Sequence, residues 1–230
     1  MQIADNLHLI PGLDVNQYLI VDADGLTLID AGMDRRAAKI LGAIARLGYS
    51  PADLRRIVIT HADGDHAGGL AALKAASGAR VLASPVEAAA IEAGRASREL
   101  RVPTPIRWLL ALAPWFKIVP VPIEERVSHG QMLPALGGLR VLETPGHTPG
   151  HISLYAPAAG ILFAGDSLIS RNGRLHLPRA ALNWDQCRAI ESAQAQAALR
   201  PRIVCPAHGP VLTDAAGKFP SLMKSMTLTT

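Results

Sequence analysis

The chain has 230 residues, 49% of them hydrophobic and only 4% aromatic, so it is long enough for one large domain with an aliphatic core. Its net charge of +4 is modest and its basic residues are scattered without interleaved aromatics, which argues against nucleic acid as a partner. Two cysteines with no CxxC exclude a disulfide framework and fit free buried thiols in a reducing cytoplasm; the start, MQIADNLHLIPG, lacks a signal-peptide pattern. The longest apolar run, 108–123, is broken by Pro114, Lys117, Pro120 and Pro122, so no membrane span is expected.

From the N-terminus, Leu7 to Ile10 reads as a strand, and 15–21 and 26–29 as two more joined by a turn at 22–25. Asp30-Ala31-Gly32 ends the last of these. Asp30 reads as a turn carboxylate or as a group that orients a metal ligand. Residues 34–47 carry apolar side chains at helical spacing and stop at Gly48.

Ile57, Val58 and Ile59 are β-branched, the pattern of a short buried strand. It runs into His61, Asp63, Asp65 and His66, four metal-ligand types within six residues. In an extended segment, His61, Asp63 and Asp65 would face one way, with His66 opening a helix that runs to about Ala76. Gly68 and Gly69 would let that helix approach other backbone closely. Imidazole and carboxylate together suit zinc, iron or manganese better than calcium or magnesium.

A strand at 80–83 precedes a helix at 85–94 capped by Ser84. Residues 91–116 follow neither strand nor helix periodicity, and they hold Trp108, Trp115 and Phe116; this stretch reads as a helical flap whose aromatics shape an apolar substrate pocket. Arg95, Arg98, Arg101 and Arg107 read as a solvated helix face, with an anion-attracting patch as the alternative.

Strands at 139–142, 152–155, 161–164 and 203–205, with a helix at 185–199, complete the chain. Each strand leads into or follows a sharp polar turn: Thr144 to His151, which offers His147 and His151, then Asp166 after Gly165, then His208 between Ala207 and Gly209. His151 reads as supporting rather than ligating, and Cys205 as strand core.

Taken in order, the LTLIDAG, THADGDHAGG, TPGHTPGH, FAGDSL and PAHGP segments resemble the metallo-β-lactamase fold superfamily over nearly the whole chain. The resemblance implies an α/β fold, an αβ/βα sandwich of two mixed β-sheets with outer helices. It also implies two divalent metal ions, one held by His61, Asp63 and His147 and the other by Asp65, His66 and His208, with Asp166 bridging both opposite a hydroxide. Asp65 and Asp166 would be the catalytic carboxylates.

The usual pattern has His where this chain has Asp63. Three carboxylates and a hydroxide would then neutralise two divalent ions, where the usual cage keeps one positive charge. That tilts the expected metal from zinc towards iron or manganese. The implied function is hydrolysis of an ester, thioester or lactone with an apolar part. The alternatives are a mononuclear iron sulfur dioxygenase, a phosphodiesterase, a weak β-lactamase, or a binding protein that has lost catalysis.

Overall fold

The computed structural model describes residues 1–12, 15–98 and 118–227. They fall into two compact units, Met1–Val127 and Ser128–Thr230.

In the first unit, seven strands lie in chain order across one sheet: β1 (Gln2–Ala4), β2 (Leu7–Pro11), β3 (Asn16–Asp22), β4 (Gly25–Ile29), β5 (Leu54–Val58), β6 (Arg80–Ala83) and β7 (Glu125–Arg126). Strands β1 to β4 pair antiparallel, and β4 to β7 pair parallel. Parallel pairing needs a long crossover. The crossovers contain α1 (Ala38–Arg46), then α2 (Gly64–Ala67) and α3 (Leu70–Ser77), then α4 (Pro85–Glu92). Parallel strands share a direction, so Asp30 after β4 and the 60–66 loop after β5 leave the sheet at the same edge.

The details depart from the sequence expectations in physical ways. Pairing in β5 covers Leu54–Val58, while Ile59, fully buried, continues the line by donating its N–H to Leu82 O at 2.9 Å. Helix α1 starts at Ala38, later than expected, because Ala37 is left-handed (φ 49°) and Asp34 takes the Arg36 and Ala38 N–H groups in a turn. The single helix expected from His66 is two, and Asp65 and His66 both lie in α2, so Asp65 is not on an extended segment. The close approach at Gly68 and Gly69 is there: a Cβ on Gly68 would sit 2.5 Å from Gly64 O, and one on Gly69 2.5 Å from Ala31 O. The Ser84 cap forms, its Oγ accepting from Glu87 N at 3.4 Å.

The second unit runs through β8 (Met132–Leu133), β9 (Leu139–Glu143), β10 (Ile152–Ala156), β11 (Ile161–Gly165), the hairpin β12 (Ile169–Arg171) and β13 (Arg174–His176), α5 (Gln186–Ala198), β14 (Ile203–Pro206) and α6 (Phe219–Thr227). Its five-stranded sheet has the order β14-β11-β10-β9-β8. Every residue of β10 and β11 is buried, the mark of a sheet covered on both faces. Ala193 of α5 and Phe219 and Leu222 of α6 join Leu162, Ala164 and Val204 in one core cluster. Strands β9 and β11 are both antiparallel to β10, and β14 is parallel to β11. Hence β9, β11 and β14 end at one edge, and the turns carrying His147, Asp166 and His208 follow those ends.

Among the described residues, no helix is long and apolar enough to cross a membrane. Trp108, Trp115 and Phe116, with most of the expected flap at 91–116, lie outside the described residues.

Candidate metal centre

In the first unit the two candidate imidazoles are held by one buried carboxylate. Asp30, 2% exposed, sits in left-handed backbone (φ 60°), a conformation that Asp tolerates better than most residues. Its Oδ1 accepts the Thr60 N–H at 2.9 Å, and its Oδ2 faces His66 Nδ1 at 2.9 Å. Thr60 Oγ1 lies 3.0 and 3.1 Å from the same carboxylate and 3.0 Å from His61 Nδ1.

The proton directions follow from the chemistry of these groups. A carboxylate only accepts, so Thr60 gives it the one hydroxyl hydrogen it has. The Thr60 oxygen then accepts Nδ1–H from His61, and Asp30 accepts Nδ1–H from His66. In the neutral rings this leaves Nε2 as the lone-pair nitrogen of both imidazoles, the form that binds a metal. Both rings are fully buried, with centroids 3.9 Å apart. Their Nε2 atoms face carboxylates: His61 lies 3.6 Å from Asp63 Oδ2, and His66 3.9 Å from Asp65 Oδ2.

Two further residues fix this loop, and neither stands out in the sequence. Glu87, fully buried on α4, accepts the Ala62 N–H at 2.8 Å and the Ser97 hydroxyl at 3.0 Å. Arg98 donates from Nη2 to Asp63 Oδ2 at 2.6 Å, with only 4% of its side chain exposed. It therefore does not belong to the solvated face expected of the arginine series. A cavity of about 500 Å³ opens in the same unit beside Ala31 and Gly32, lined also by Val15, Met33 and Ile40, with Arg35 and Lys39 among its walls.

The second unit gathers the other candidates around Asp166. His147 Nε2 lies 3.4 Å and His208 Nε2 3.2 Å from Asp166 Oδ2. Asn183 Oδ1 faces His147 Nδ1 at 3.3 Å, and its amide donates to Gln186 Oε1 at 2.7 Å, so this ring too is held with Nδ1–H on an oxygen. Asn183 is another residue that the sequence did not single out.

His151 is used differently. Its Nε2 accepts the backbone N–H of Asp166 at 3.0 Å and its Nδ1 donates to Thr144 Oγ1 at 2.8 Å. Both nitrogens serve the protein, and the ring positions the Asp166 backbone. The chain of bonds continues from Thr144 to Ser153 at 2.8 Å, and Gln196 donates to Ser153 and Ser167 at 2.8 and 2.7 Å. His151→Ala is expected to cost about 2–3 kcal/mol, because it leaves a buried N–H and a buried hydroxyl short of a partner. Thermal and denaturant unfolding would measure it, and a change below about 0.5 kcal/mol would contradict the assignment.

Cys205 is buried on β14, and burial pushes its thiol pKa up, so it behaves as strand core. Cys187 is exposed, contrary to the expectation of two buried thiols; both are free.

The donor chemistry of both units fits a borderline transition metal: neutral imidazoles with a fixed tautomer beside carboxylates. Fold and site together define the class. The chain belongs to the metallo-β-lactamase superfamily, whose family model matches residues 10–208, and its fold is that α/β fold of two mixed sheets with helices. It is 30% identical over 207 residues to the uncharacterized protein YobT of Bacillus subtilis (strain 168), a match covering 86% of this chain and 84% of that one. It is 37% identical over 173 residues to the hydroxyacylglutathione hydrolase of Rhodopseudomonas palustris (strain BisB18), covering 73% of this chain. The chain spans 54% of the length of that hydrolase, about half. Among solved structures, a metallo-β-lactamase family protein from Thermus thermophilus superposes with a TM-score of 0.76 at 25% identity, over 99% of this chain and 81% of that one.

Proposed function

We propose that the protein is a metal-dependent hydrolase that attacks the carbonyl of a thioester, ester or lactone at a two-ion centre. In this reading, as the family resemblance implies, one ion is held by His61, Asp63 and His147 and the other by Asp65, His66 and His208, with Asp166 shared. The observation that carries it is that His61, His66 and His147 each have Nδ1 within hydrogen-bond distance of a protein oxygen, an arrangement that favours the Nδ1–H tautomer and leaves Nε2 for a ligand. Bound there, two divalent ions would activate a water as nucleophile and polarise the carbonyl under attack.

The chain's own residues set the geometry. Asp30 fixes His66 directly and His61 through Thr60, while His151 fixes the Asp166 backbone. Asp65, on the first turn of α2 with its side chain 22% exposed, would accept a hydrogen bond from that water. The cavity beside Ala31, with Val15, Met33 and Ile40 in its walls, suits an apolar acyl part, and Arg35 and Lys39 suit an anionic end. The relatives named hydroxyacylglutathione hydrolase favour a thioester among the candidate carbonyls.

The test is elemental analysis of protein purified without chelator, followed by turnover of a thioester, a lactone, a phosphodiester and a β-lactam. About two ions per chain and fastest turnover of the thioester or lactone are expected. One ion per chain, or a clear preference for the phosphodiester, would overturn the proposal.

A further inference from the structure

The Asp63 departure from the usual pattern has a partner 35 residues away. We infer that Arg98 is the built-in counter-charge of Asp63, so that the two act as one unit on the ion held at His61. This rests on the two-ion reading above.

The argument starts from charge. Putting Asp where the family pattern has His adds one negative charge to the donor set. Arg98 puts one positive charge back, through a charge-assisted bond of 2.6 Å to the same Oδ2 that lies 3.6 Å from His61 Nε2. Only 4% of the Arg98 side chain and 18% of the Asp63 side chain are exposed, so solvent screens this pair far less than a surface pair.

The placement of Arg98 is built. Ser97, its neighbour, donates to Glu87 at 3.0 Å, and Glu87 accepts from Ala62 at 2.8 Å, so the backbones carrying Arg98 and Asp63 are tied to one buried carboxylate. A carboxylate has lone pairs enough to meet a guanidinium on one side and an ion on the other. Arg98 therefore orients Asp63 and tempers its charge; it is a positioning residue.

On charge and donor type alone, Asp63→His would still hold its ion and shift it towards zinc; with Arg98 in place the opposite is expected. Restoring the usual histidine would take the Asp63 carboxylate away from the Arg98 guanidinium and put an imidazole in its place beside the ion. The first ion should be lost, and removing Arg98 as well should bring it back.

The experiment uses the full chain loaded with zinc, or with manganese in parallel. Ion retention is measured by elemental analysis after equilibration against a chelator series. Asp63→His is expected to release an ion at about 10- to 100-fold lower chelator than the parent. Asp63→His combined with Arg98→Gln should recover most of that loss, while combination with Arg98→Lys, which keeps the charge, should not. Asp63→Asn, closer in shape, is a parallel first variant with the same expected loss and rescue, and far-UV circular dichroism and melting curves verify that each variant folds.

Parent-like retention by Asp63→His and Asp63→Asn would overturn the inference, and so would a loss that Arg98→Gln does not relieve. A parent that holds one ion would instead contradict the two-ion reading. The inference then still stands or falls on whether that single ion responds to the Asp63 and Arg98 changes.

Discussion

Asp30→Ala is expected to be among the most damaging single substitutions in the first unit, costing about 3 kcal/mol or more of stability and most of the metal affinity. Three donors converge on this carboxylate: the Thr60 N–H, the Thr60 hydroxyl and His66 Nδ1–H, all in residues buried from solvent. Each buried donor left without an acceptor costs about 1–3 kcal/mol. Alanine is also less at ease than aspartate in the left-handed backbone found at position 30. Without the carboxylate, His66 loses its tautomer lock. Thr60 is free to point its hydrogen at His61, which would disturb that ring as well, and losses of this kind weaken metal binding about 10- to 100-fold. Asp30→Asn should be milder, because it keeps one acceptor and the backbone preference. Denaturant unfolding and chelator titration of both variants would decide. If Asp30→Ala unfolds like the parent and keeps its ions, the carboxylate does not organise the loop.

Gly209→Ala is the second large effect, and it acts on the other unit. Gly209 follows His208 with φ +94°, and a Cβ there would lie 1.8 Å from Ser170 O and 2.7 Å from Ser170 Oγ. Ser170 is itself tied to this turn: its N–H donates to His208 O at 3.0 Å and its hydroxyl to Pro210 O. Relief requires β12 or the turn to move, and either shift displaces His208 from Asp166. The expected loss is about 2–4 kcal/mol, from backbone strain plus overpacking. Gly78→Ala is the matched control. It has φ +68° at the end of α3 with nothing within 4 Å of the added carbon, so it should cost only about 1 kcal/mol. Equal losses in the two variants would mean that the turn yields freely and that the contact with Ser170 is unimportant.

Local chemistry was the readable part of this sequence. The β6 strand matches its expected range, and the cap at Ser84 forms where a serine precedes proline and a helical run. The His61 to His66 loop and the turns carrying His147, Asp166 and His208 follow strand ends as their spacing implied. What could not be read are contacts between residues far apart in the chain. Arg98 sits in a series of arginines that looks like a wet surface, and nothing local says that this one reaches Asp63. Glu87 looks like an ordinary first-turn acid of a helix, yet it is fully buried against Ala62. A hairpin and a helix were missed although their signals were present. Asn172-Gly173 is a hairpin turn, but the strands it joins are polar and carry little alternation. Helix α6 has Phe219 and Leu222 three apart, a short apolar stripe overshadowed by Pro220.

The shared direction of β9, β11 and β14 has a consequence for how this chain tolerates change. Turns at the carboxyl ends of these strands carry the candidate donors, whereas the turn at Pro157 to Gly160, between β10 and β11, lies at the opposite end of the sheet. The hairpin at Asp22 to Gly25 stands in the same relation to Asp30 in the other unit. Inheritance can therefore rewrite one rim of each sheet, in length and in sequence, without touching the candidate donors at the other. An engineer who wants to attach a tag, a label or a second protein has the same freedom, and would find it at those two far turns.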